Sequence, residues 1–152
     1  MIQFKQMICP ISTERVDENR VRATAFGVIV TMGAFFVTGN VLFPAFLSID
    51  FFIRAFTKIK YSPLSWLGHI FVIAIGTKPV LIDKAPKIFA ARIGFLLTAV
   101  TTISALAGLS LLAAVVGITL VGFAFLECGL NFCAGCWVYT YVIYPLVRNN
   151  HR

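Results

Sequence analysis

Charge is what this chain has least of. Of its 152 residues 12% are charged and 59% hydrophobic, and it holds six acidic residues and two histidines. A soluble domain carries about a quarter charged residues, so there is too little polar surface here to face water all round. The shortage also removes whole reaction classes. There is no paired-histidine motif for zinc hydrolysis, no glycine-rich phosphate loop, and no Ser-His-Asp set that the topology could assemble, so hydrolase and kinase readings have no residues to rest on. A secretory h-region is missing too. Residues 1–20, MIQFKQMICPISTERVDENR, are largely polar and hold no apolar h-region before a small-residue cleavage site, which predicts that Cys9 stays in the mature protein.

What is there points to a bilayer. Mean hydropathy is +0.91, and the length suits one membrane domain over residues 1–152. The net charge of +7 would suit a nucleic-acid binder, but the basic residues lie between apolar runs or near their ends. That placement marks membrane orientation and excludes nucleic acid as the partner. Four runs are candidate spans: Ala23–Val37, Val41–Phe56, Phe89–Ala107 and Ser110–Leu126. Each is short against the ~20 residues that a bilayer core requires; snorkelling by the flanking Arg22, Arg54 and Arg92 would make up the difference. Thr38-Gly39-Asn40 and Gly108 mark tight joints. The expected fold is therefore an all-α membrane protein with four transmembrane helices in two hairpins.

The hairpin tips, residues 38–40 and 107–110, carry no charge. Lys5, Arg15 and Arg20 at the N-terminus, Lys58, Lys60, Lys78, Lys84 and Lys87 in the middle, and Arg148 and Arg152 in the tail all fall on the other side. The positive-inside rule makes that side cytoplasmic, with both termini there and the protein in the inner membrane. Two further apolar pieces, Ser65–Gly76 and Trp137–Val147, are too short to span and read as interfacial or re-entrant helices. Shifting the chain by 71 residues lays SPLSW at 62–66 on CAGCW at 133–137, so Ser62 and Ser65 match Cys133 and Cys136. The reading is a parallel tandem repeat, each copy a hairpin followed by a short helix. Its parts are an N-terminal segment (1–20), a first repeat (21–76), a cytoplasmic linker (77–88) and a second repeat (89–148).

Cys133 and Cys136, in FCAGCW, have the spacing that lets two thiols close a small disulfide ring. The following WVYTYVIY suits a helix, so the pair would sit at its N-terminus, where orphan amide donors favour a thiolate. Cys133 would be the nucleophile and Cys136 the resolving thiol, with Gly135 leaving room for a partner's backbone. Two other readings stand beside this one. The pair could simply pack as small apolar side chains, or Cys9, Cys128, Cys133 and Cys136 could hold zinc or an iron–sulfur cluster. Against metal, Cys128 falls on the last turn of the fourth span, where packing suits it better. Haem attachment is excluded because Trp137 stands where a histidine is required.

Cys9, beside Pro10, shares the cytoplasmic face with the pair and is either a third working thiol or a solvated tail cysteine. Glu127 adjoins Cys128 and could shuttle protons for a thiol, or anchor to Arg92, Arg54 or a backbone amide. Asp50 and Arg54, four apart, read as a structural ion pair on one helix face. Trp66, Trp137, Tyr139, Tyr141 and Tyr144 suit an interfacial belt.

Cys9-Pro10 with the following ISTERVDENRVR, APKIFAARIGF before the third run, and FLE…FCAGCWVY near the end resemble a bacterial membrane family, domain of unknown function 4395, over nearly the whole chain. The resemblance implies that Cys9-Pro10 and the Cys133/Cys136 pair are hallmarks, and it implies thioredoxin-like or rhodanese-like partners and hence thiol or sulfur chemistry. Cys128 is not part of that pattern. Two function classes follow. One is a cytoplasm-facing thiol-disulfide or sulfane-sulfur relay, with a membrane quinone as the acceptor. The other is a small transporter, or a homo-oligomeric membrane subunit, in which Asp50, Arg54 and Glu127 line a route for a sulfur-containing anion.

Overall fold

The computed structural model describes residues 15–57, 62–83, 85–130 and 137–149. Among them run a short strand β1 (Arg15–Asp17), helices α1 (Glu18–Thr38), α2 (Leu42–Phe56) and α3 (Pro63–Ile75), strand β2 (Leu81–Asp83), and helices α4 (Ala85–Leu106) and α5 (Ser110–Gly129). A π-turn (Tyr139–Ile143) leads into a last helix, α6 (Tyr144–Asn149). Pro145 accounts for that turn: it has no amide hydrogen and its ring crowds the carbonyl one turn back, so the ladder widens there.

Helices α1 and α4 begin earlier than their apolar runs do. Asp17 caps α1 by accepting from the Asn19 amide at 3.1 Å, so the polar turn from Glu18 to Arg22 is already helical and α1 reaches 21 residues. With α1 and α4 extended at their starts and α5 running on to Gly129, α1, residues Lys87–Leu106 of α4, and α5 are each long and apolar enough to cross a membrane. No such extension occurs at α2, which has 15 residues, or about 22 Å against a hydrocarbon core of about 30 Å.

Side chains are distributed as a bilayer requires. Val30, Phe52, Leu96, Ile103, Leu111, Ile118 and Phe125 are exposed, whereas Thr24, Thr98, Thr101 and Ser104 are buried. The buried threonine hydroxyls donate to carbonyls one turn back: Thr24 to Arg20 at 2.8 Å, Thr98 to Gly94 at 2.9 Å and Thr101 to Leu97 at 2.8 Å. Small residues bring the backbones close where no hydrophobic force separates protein from lipid. Gly94 receives the Phe51 ring, and Gly117 receives Met32 and Phe36. This exterior and these helices are those of a membrane protein.

Helix α2 packs chiefly on α4, α1 on both α3 and α5, and α4 on α5, while α4 also touches the π-turn. Gly39 and Gly108 end α1 and α4 with positive φ of 68° and 77°, which lets the chain turn at once into α2 and α5. An all-helical expectation misses one element. β1 and β2 pair antiparallel, with Val16 opposite Ile82, and the strands precede α1 and α4 in the chain.

Candidate functional site

Three of the four cysteines, Cys9, Cys133 and Cys136, lie outside the described residues, as do Lys58, Lys60 and Lys84. What the structure defines is the frame on either side of the pair and the matching segment in the first half of the chain.

That segment is the start of α3. Ser62 is the N-cap: its hydroxyl accepts from the Ser65 amide at 3.4 Å, and it is buried. Arg20 of α1 donates from Nε and Nη2 to Ser65 Oγ at 2.9 and 2.6 Å. The preceding amide, Leu64, donates to Asp50 Oδ1 at 2.8 Å. Asp50, fully buried, is thus both partner to Arg54 (Nη2 to Oδ2, 2.8 Å) and acceptor at a helix N-terminus. The contact with Arg54 is close but not aligned as a hydrogen bond, and the guanidinium lies over the Phe51 ring at 4.5 Å. The ion pair was legible in the sequence; its second task was not. Helix α3 runs back along α1, with Leu64 against Gly27 and Gly68 against Thr24. Beyond its end Asn19 Nδ2 reaches the Lys78 carbonyl at 2.9 Å. The buried start of α3 is therefore roughly 13 Å along α1 from Glu18.

The second frame is the last turn of α5, which leads to the cysteine pair. Glu127 accepts from Lys87 Nζ of α4 at 2.6 Å. Lys87 is the anchor in place of Arg92, Arg54 or an amide. Cys128 is half-buried and free, and its carbonyl accepts from Arg22 Nε of α1 at 3.1 Å. The turn is held from two sides by two cations. The flanking arginines have protein partners as well: Arg22 binds this carbonyl, Arg54 pairs with Asp50, and Arg92 stands over Phe56 at 5.7 Å. Lys87 and Arg20 went unseen because their partners lie 40 and 45 residues away. Past the pair, the Trp137 and Tyr141 rings meet at a tilt of 41° with centroids 4.8 Å apart.

The family described as Domain of unknown function (DUF4395) matches residues 16–143. The chain belongs to that family, and the match takes in Cys133 and Cys136 while Cys9-Pro10 precedes it. No curated protein matches the chain, and no solved structure does.

Proposed function

We propose that this protein is a membrane thiol relay in which α1, α2, α4 and α5 cross the bilayer as two hairpins and Cys133 and Cys136 exchange with a soluble thioredoxin-like or rhodanese-like partner at the cytoplasmic face. The observation that carries it is the start of α3. Ser62 and Ser65 hold the N-cap and third positions of that helix, and the 71-residue shift puts Cys133 and Cys136 in the equivalent positions of the second copy. Thiols at that place meet orphan amide donors, which favour the nucleophilic thiolate; because the start of α3 is buried, the second copy would have to be open to the cytoplasmic side there for a partner to reach them.

The packing pattern supports the repeat. Helix α1 meets α5 as α4 meets α2, and α1 carries α3 as α4 touches the π-turn. Strands preceding equivalent helices pair antiparallel, as a two-fold axis between the halves would require. The strand pair also supports four crossings. It holds the starts of α1 and α4 together, so the chain between them crosses an even number of times. With α1 across, a return by α2, with α3 dipping in and coming back out, meets that count. Because α2 packs so fully on α4, a short span is tolerable with local thinning of the bilayer.

In the exchange, the Cys133 thiolate attacks one sulfur of a partner disulfide and the partner's other sulfur leaves as a thiolate. Cys136, deprotonated, then attacks Cys133 Sγ and releases the partner fully reduced, leaving a Cys133–Cys136 disulfide. Two electrons move from the pair to the partner. Run in reverse, the same steps load the pair with electrons from a partner dithiol, for a membrane quinone to accept. Cys9 would serve the onward transfer. With Glu127 held by Lys87, the turn before the pair is positioned, not free to carry protons.

The test is trapping. Cys136→Ser removes the resolving thiol, so a mixed disulfide with a thioredoxin-like partner should accumulate on a non-reducing gel, and Cys133→Ser should trap nothing. Ser62→Ala and Ser65→Ala should leave trapping unchanged. If both cysteine variants behave like the parent, the pair only packs.

A further inference from the structure

We infer that the slot between α1 and α3 is a binding site for one anionic phospholipid, with the lipid phosphate on Arg22. A groove of about 380 Å³ opens there, bounded by the last turn of α5 at Cys128. That is within the range of small-molecule sites, about 300–1,000 Å³. On α1 its wall is the stripe Asn19, Arg22 and Phe26, spaced to fall on one helix face over roughly 10 Å. Phe71 and Ile75 of α3 face them. The groove is graded: Asn19, Arg22 and Thr77 gather at the end where α1 begins, and Phe26 and Phe71 form the other end.

Charge selects the occupant. Arg22 is exposed, and it uses Nε on the Cys128 carbonyl. Among the described residues its two terminal nitrogens have no partner, and a guanidinium presents those as a fork suited to phosphate oxygens. The acidic groups nearby are taken. Asp17 accepts from the Asn19 and Val80 amides, Glu127 is paired with Lys87, and Glu18 has its own partner. A neutral quinone head could accept a hydrogen bond here but brings no charge to pair with this cation, whereas basic pockets between membrane helices do hold anionic headgroups. The apolar end then takes an acyl chain between Phe26 and Phe71. None of these residues takes part in the proposed thiol exchange itself, though Arg22 also braces the turn before the pair, and lipid retention is read without reference to the thiols.

The experiment is native mass spectrometry of the detergent-purified protein offered phosphatidylglycerol or phosphatidylcholine with the same acyl chains. One phosphatidylglycerol should be retained in preference, and an equal concentration of inorganic phosphate should not displace it. Arg22→Gln should reduce the preference about fivefold. Because that change also removes a contact to α5, Arg22→Lys and Ala23→Phe complete the set. The lysine keeps the charge and should keep the preference; the phenylalanine fills the groove beside an intact Arg22 and should abolish retention. Equal retention of the two lipids, preference surviving Arg22→Gln, retention surviving Ala23→Phe, or a quinone analogue held equally well with and without Arg22 would each overturn the site.

Discussion

At the scale of the residue, Asp50 matters most because one buried carboxylate serves two partners. Oδ1 caps α3 at Leu64 and Oδ2 faces Arg54. Removing one member of a buried pair costs about 3–5 kcal/mol, because the other charge is left uncompensated. Asp50→Ala should therefore lower the thermal midpoint in detergent severely. Asp50→Asn keeps an oxygen for the Leu64 amide and should lose less. Replacing both members as Asp50→Ala with Arg54→Met should recover most of the loss but leave the cap deficit of about 1 kcal/mol. Midpoints of the three variants decide it, and equal losses for Asp50→Ala and Asp50→Asn would remove the cap from the account. The spacing of four made the ion pair readable in advance. The cap could not be read, because it depends on where a loop of the chain returns.

At the scale of the element, α3 is held to α1 by absence of bulk. A Cβ at Gly68 would stand 2.9 Å from Thr24 Oγ1 and 3.1 Å from the Arg20 carbonyl oxygen. The backbone oxygen cannot give way, so Gly68→Ala should push the two helices apart at a cost of about 1–3 kcal/mol. Gly33→Ala meets nothing within 4 Å and should be neutral or slightly stabilising, since alanine favours helix. Unfolding of the two variants side by side checks the contrast. The elements themselves were largely legible. Apolar runs announced α1, α2, α4 and α5, and Gly39 and Gly108 announced the turns. Their starts were less so, because Glu18 to Arg22 is polar sequence made helical by the Asp17 cap. The strands were not legible at all: three residues carry no period, and only the partner 66 residues away makes β1 a strand.

At the scale of the whole molecule, the proposed crossings predict which positions meet the outside. In a chain with all four cysteines replaced by serine, Asn40→Cys and Leu109→Cys should react with an impermeant maleimide added to intact cells, and Lys84→Cys should react only after lysis. Labelling of Lys84→Cys in intact cells would overturn the arrangement. The strand pair that supports this topology also sets an order of assembly. Arg15–Asp17 has no partner until Leu81–Asp83 has been made, which at ribosomal rates is an interval of roughly 3–15 seconds. Throughout it the first hairpin exists without its latch, and α2 without α4, its main support. The strand that is synthesised first among these elements thus waits for the middle of the chain before it is fixed in place.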